Sequence, residues 1–144
     1  MASVFDVAKY ILHKKGKMST WKLQKLCYYS QAWHTAWTET PLFSEDFEAW
    51  ANGPVCRDLF NAHKGRFMIE ECDLRLGNIN AINDDEKDSI DSVLESYGDK
   101  EPYDLRELTH SEPPWIDARG DIPEGAPCEN VITIESMAEY YGSL

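Results

Sequence analysis

At 144 residues, with 26 acidic against 14 basic side chains and a formal net charge of −12, the chain is sized for one domain spanning 1–144. It is poorly suited to coating a phosphate backbone. No run reaches the ~20 apolar residues of a membrane span, and no basic-then-apolar leader opens the chain, so the expected location is cytoplasmic, with no membrane role. The charge is divided: residues 1–72 carry nine Lys or Arg against eight Asp or Glu, and residues 73–144 carry five against eighteen, giving +1 and −13. Cys27, Cys56, Cys72 and Cys128 lie far apart, which favours free, mostly buried thiols over disulfides or a zinc site, and no cofactor is implied.

The first predicted helix runs from Ser3 to Lys15. Ser3 caps it, Asp6 occupies the capping-box position, and Val4, Val7, Ala8, Ile11 and Leu12 form one face. Gly16 supplies the left-handed stop. Ser19 or Thr20 then caps the helix that dominates the sequence, Thr20 to Thr38. Leu23, Leu26, Ser30, Trp33 and Trp37 recur at steps of three and four, while Tyr29, Ala32 and Ala36 widen the apolar surface beyond one stripe. Such a helix has to be covered on several sides, so the remaining segments are expected to pack around it.

Pro41, Leu42 and Phe43 read as a lid on that core. Phe47, Ala49 and Ala51 alternate with Glu48 and Trp50 as an extended piece, followed by an Asn52-Gly53-Pro54 turn. Pro54 is expected to open a short helix running to about Lys64, and Arg66 to Ile69 to return as a second strand in a small hairpin or pair of extended arms. Cys72 to Ile82 lacks a period and reads as loop. Asn83 caps a helix with Glu86 reaching back, with Ile90, Val93, Leu94 and Tyr97 on its buried face. A short helical piece is expected over Tyr103 to Leu108, and another over Trp115 to Arg119 after the double proline. Gly120 to Asn130 has the composition of a mobile loop, and Thr133 caps the last helix, with Ile134, Met137 and Tyr141 turned inward. The fold class is therefore mainly α: a compact multi-helix domain around a central aromatic-rich helix, with a small β-hairpin.

The chemistry-bearing motifs are sparse. There is no HExxH, no paired-cysteine motif, no glycine-rich phosphate loop and no nucleophile elbow, so the chain is not expected to be an enzyme. Thr109, His110, Glu112, Trp115 and Arg119 form the one dense local motif. It reads first as a hydrogen-bonded knot with Trp115 packed beneath and Arg119 pairing with Glu112 or the central helix. A small hydrolase centred on His110 and Glu112 is the catalytic alternative. Trp21, Lys22, Lys25 and Trp50 are the candidate interface residues, since a tryptophan near a turn is a common anchor for a partner. Lys9, Lys14, Lys15, Lys17, Lys22 and Lys25 concentrate positive charge near the first helix junction and supply the nucleic-acid alternative.

An ordered set of segments resembles the Panacea antitoxin domain family, also called SocA-like or phage-associated GepA-like. The segments are Val4-Phe5-Asp6-Val7-Ala8-Lys9-Tyr10-Ile11-Leu12, Lys22-Leu23-Gln24-Lys25-Leu26-Cys27-Tyr28-Tyr29-Ser30-Gln31-Ala32-Trp33, Phe47-Glu48-Ala49-Trp50-Ala51-Asn52-Gly53-Pro54-Val55 and Leu108-Thr109-His110-Ser111-Glu112-Pro113-Pro114-Trp115, with Ala118-Arg119 behind. The proline that the family pattern leads one to expect shortly after Val55 is missing. The resemblance implies a mostly helical domain of bacterial and prophage genomes that neutralises a toxin by protein–protein contact, with some members connecting their partner to a protease. The acidic second half fits a basic toxin as partner. A homo-oligomer is compatible with the sequence, nucleic acid is disfavoured, and a prophage-associated nucleic-acid-binding regulator stands as the second reading.

Overall fold

A computed structural model describes all of residues 1–144. Its elements in chain order are α1 (Val4–Lys15), β1 (Met18–Ser19), α2 (Thr20–Thr38), β2 (Phe47–Trp50), β3 (Gly53–Cys56), α3 (Arg57–His63), β4 (Met68–Ile69), α4 (Asp84–Tyr97), α5 (Pro102–His110), α6 (Pro113–Arg119), β5 (Val131–Ile132) and α7 (Ile134–Gly142). The fold is mainly helical. Two small antiparallel sheets accompany the helices, one pairing β1 with β4 and the other ordered β3-β2-β5. No helix is long and apolar enough to cross a membrane.

α2 starts where its sequence says it should. The Ser19 hydroxyl accepts from the Lys22 amide, and the helix then runs 19 residues without Pro or Gly. α1, α4, α7 and the β2–β3 hairpin pack around it. Leu23, Leu26, Cys27, Tyr29 and Ala32 are wholly buried, each buried leucine contributing roughly 1.5–3 kcal/mol. Burial on several sides also takes polar side chains out of water, and the two glutamines among them are fully paired. Gln24 donates to the Cys56 carbonyl (3.2 Å) and accepts from the Cys56 amide (2.8 Å). Gln31, two turns on, does the same for the lid, donating to Phe43 O (2.7 Å) and accepting from Leu42 N (2.7 Å). The two glutamines thus fix the backbone segments that cover the helix.

The other helix starts follow their caps. Ser3 and Asp6 close a capping box at α1, Asn83 and Glu86 another at α4, and the Thr133 hydroxyl accepts from Ser136 N at α7. Several expectations are corrected. Pro54 does not open a helix: Gly53–Cys56 is strand β3, paired with β2, because Gln24 holds Cys56 extended, and α3 begins only at Arg57. Arg66 to Ile69 contributes only Met68–Ile69, which pairs with β1 rather than with the hairpin. The third strand of the larger sheet is β5, which pairs with Phe47 and Glu48. Cys72 to Ile82 holds two short 3-10 turns, Glu71–Asp73 and Ile79–Ala81. Trp37, assigned to the buried stripe, is 52% exposed at the end of α2. All four cysteines are free, with Cys72 exposed and the others buried.

Candidate interaction face

The Thr109–Arg119 motif is largely buried, but its side chains take separate partners and do not form one hydrogen-bonded knot. α6 begins at Pro113, and the preceding Glu112 points inward, where its Oε1 accepts from the Tyr29 hydroxyl (2.7 Å) and the Tyr141 hydroxyl (2.8 Å). Burial raises the Glu112 carboxyl above its ordinary value, while the two tyrosine hydrogen bonds pull it back down. The Tyr28 hydroxyl lies 3.2 Å from that of Tyr141, joining a third tyrosine to the group. Arg119 is buried and pairs with neither Glu112 nor α2: it donates to the carbonyls of Ala49 (2.8 Å), Pro123 (2.8 Å) and Ala126 (2.7 Å), with Trp115 stacked beneath it at 5.0 Å. It therefore ties the Gly120–Asn130 segment to β2.

His110 faces away from Glu112. Its ring stacks on Trp115, with centroids 3.9 Å apart and planes 9° from parallel, and neither ring nitrogen has a hydrogen-bond partner. The Glu124 carboxylate stands 3.7 Å from Nδ1, beyond hydrogen-bond reach. Burial, reinforced by Arg106, lowers the His110 pKa and favours the neutral ring. The imidazole and the carboxylate of the hydrolase reading thus lie in separate environments. No group of three or more His, Cys, Asp or Glu side chains is arranged to hold a metal ion.

The exposed face around the start of α2 is different in kind. Trp21, at the second position of the helix, lines three neighbouring hollows. One of ≈ 350 Å³ is bounded by Trp50, Asn52, Arg57 and Cys128. A second, ≈ 270 Å³, is bounded by Lys25, Phe67, Tyr103 and Arg106, and a third, ≈ 320 Å³, by Phe60, His63, Arg66 and Phe67. Trp50 is held rigidly: its ring packs edge-on to Phe60 at 5.0 Å, Arg57 covers it at 5.2 Å, and its Nε1 donates to Glu48 (2.8 Å). Phe67 and Tyr103 stand 69% and 66% exposed. Of the four candidate interface residues, Trp21, Lys25 and Trp50 share this face, whereas Lys22 lines none of the three hollows.

The basic cluster near the first helix junction is dispersed by its contacts. Lys9 donates to Leu74 O, Lys14 sits over the Tyr10 ring, Lys15 pairs with Asp99, and Lys25 is turned inward. Phe67, Tyr103 and Arg106 had no sequence signal placing them beside Trp21, since chain order alone does not bring residue 106 to residue 25.

Residues 23–116, about two thirds of the chain, match the family described as Antitoxin SocA-like, Panacea domain. The chain belongs to that family. The matched span takes in most of α2, the β2–β3 hairpin, α3 to α5 and the start of α6, so it includes the Glu112 cluster except Tyr141, and the Trp21 face except Ser19, Thr20, Trp21 and the Gly125–Glu129 edge. No curated protein matches the chain, and no solved structure does.

Proposed function

We propose that this Panacea domain is an antitoxin that neutralises a toxin by direct binding, and that the Trp21 face is its contact surface. The observation that carries this reading is the convergence of three hollows on one half-buried tryptophan. A second rigid tryptophan, Trp50, stands beside it, and the exposed rings of Phe67 and Tyr103 form the margin. Interface anchors are typically tryptophan, tyrosine and arginine set in pockets, and Arg57, Arg66 and Arg106 complete that set. Occlusion of a toxin by such a surface requires no catalytic group.

The acidic second half of the chain supplies the long-range part. A net charge of −13 over residues 73–144 speeds encounter with a basic toxin, while the aromatic face supplies the short-range contacts. The direct test is growth rescue on co-expression with the toxin encoded beside this gene. Trp21→Ala is expected to abolish rescue while leaving the melting temperature of the free domain within a few degrees of wild type, and Trp50→Ala to abolish it with a lower melting temperature, since it also removes the packing on Phe60 and Arg57. Unchanged rescue in both variants would remove the Trp21 face from the mechanism. Pulse-chase of the toxin in the same cells reads out a protease connection: a shortened toxin half-life supports hand-over, and an unchanged one leaves neutralisation to binding alone.

A further inference from the structure

Lys25 is the most unusual side chain in the molecule. It sits inside α2, 1% exposed, yet it lines the ≈ 270 Å³ hollow bounded by Ser19, Trp21, Asn52, Phe67, Pro102, Tyr103 and Arg106. Its Nζ lies 5.5 Å from the Trp21 ring centroid. Gly53 opens its path: a Cβ at that position would lie 3.0 Å from Lys25 Cε and 3.3 Å from Nζ. No carboxylate offsets the ammonium. The one other charge acting on it is a second cation, Arg106, and burial and Arg106 together lower its pKa. Buried lysines are ordinarily paired, and on a chain of net charge −12 carboxylates are plentiful, yet none lines this hollow.

The remaining lining points the same way. Arg106 donates to Asn52 through Nε (3.3 Å) and is ion-paired with Glu107 through Nη1 (3.2 Å), while Nη2 has no bonded partner. α5 opens at the hollow with Pro102 at its first position and no side-chain cap, and Asp104 in its first turn already answers part of the helix dipole. Lys25 without a counter-ion, and the open Nη2 of Arg106 beside it, suit the oxyanion of a phosphoryl group. The aromatic walls suit a flat group attached to it.

We propose that this hollow is a phosphoryl-binding site, in which Lys25 and Arg106 hold the oxyanion of a small phosphate-bearing molecule and the Trp21 and Tyr103 rings flank whatever carries it. The two sources of that chemistry are free inorganic phosphate and a nucleoside phosphate.

Titration calorimetry and tryptophan fluorescence on the full chain, with AMP, GMP, inorganic phosphate and acetate as probes, test the site without any toxin. The result is therefore separate from that of the rescue experiment. Phosphate-bearing probes are expected to bind, with each affinity falling about tenfold or more in Lys25→Met and in Arg106→Gln, the loss of one charge-assisted contact. Arg106 is surface-accessible, so its variant reports even if Lys25→Met alters folding. Tighter binding of AMP or GMP than of inorganic phosphate assigns the source to nucleotides, and equal binding assigns it to free phosphate. Absence of binding by every phosphate probe, or binding untouched by both substitutions, overturns the proposal. So does acetate matching phosphate in displacing AMP, which would make the site a receptor for a partner's carboxylate.

Discussion

Replacing Lys25 with methionine should make the protein more stable. Methionine fills nearly the same space without the ammonium, and the charge it removes is buried without a counter-ion. Burial, reinforced by Arg106, lowers the lysine from its ordinary 10.5 to about 8. At about 1.4 kcal/mol per tenfold change in proton affinity, that fall corresponds to roughly 3 kcal/mol of folding free energy lost to holding the charge inside. The pH window follows from the sign. A lysine whose folded value is depressed costs its full amount below about 8, where it is charged in both states, and the cost disappears as pH rises through 10.5. Lys25→Met should therefore exceed wild type by about 1–3 kcal/mol at pH 7, with the gap closing by about pH 10.5. Urea unfolding at a series of pH values, followed by far-UV circular dichroism, measures both curves. A variant less stable than wild type at pH 7, or a gap that stays constant from pH 7 to pH 10.5, would refute the reasoning.

Two further substitutions probe the scaffold. Tyr141→Phe leaves Glu112 with one hydroxyl donor and deprives Tyr28 of its partner, at an expected cost of about 1–3 kcal/mol at neutral pH. The folded Glu112 pKa lies above its ordinary 4.5, so its contribution to stability is present below 4.5 and falls as pH rises through the folded value. The loss in Tyr141→Phe should accordingly be smaller at pH 4 than at pH 7, and an equal loss at both, measured by denaturant unfolding, would separate the effect from Glu112. Arg119→Lys keeps the charge but cannot reach the carbonyls of Ala49, Pro123 and Ala126 together, so a loss of about 2–3 kcal/mol is expected, with faster proteolytic cleavage between Gly120 and Cys128. Cleavage at the wild-type rate would show that this segment is held by something else.

The helix starts were legible because their signals are local: Ser3, Ser19, Asn83 and Thr133 each cap a helix from a position adjoining it. What escaped the sequence depends on distant contacts. Pro54 resembles a helix opener, but Gln24, 32 residues before Cys56, holds that backbone extended. Trp37 continues the apolar period of α2 past the point where neighbouring elements cover it, and periodicity has no means of saying where cover stops. At the candidate face, Trp21 and Trp50 were visible as tryptophans near turns, and Lys25 as a member of the basic cluster. Arg106, by contrast, reaches Trp21 and Lys25 only through the path of α5. The motif from Thr109 to Arg119 was visible as a dense polar group, but Glu112 and His110 take opposite directions because tyrosines from α2 and α7 claim the carboxylate and Trp115 claims the ring.

The closure of Glu112 by Tyr141 ties the opening of one helix to the fate of a buried charge. Tyr141 lies 29 residues beyond the carboxylate it donates to, on the helix α7 that packs against α2. A local opening of α7 would take one of the two hydroxyl donors with it and leave the buried carboxylate with Tyr29 alone. Fraying of α7 therefore costs more than its apolar contacts, and the amides of this helix should exchange with solvent almost as slowly as those of α2.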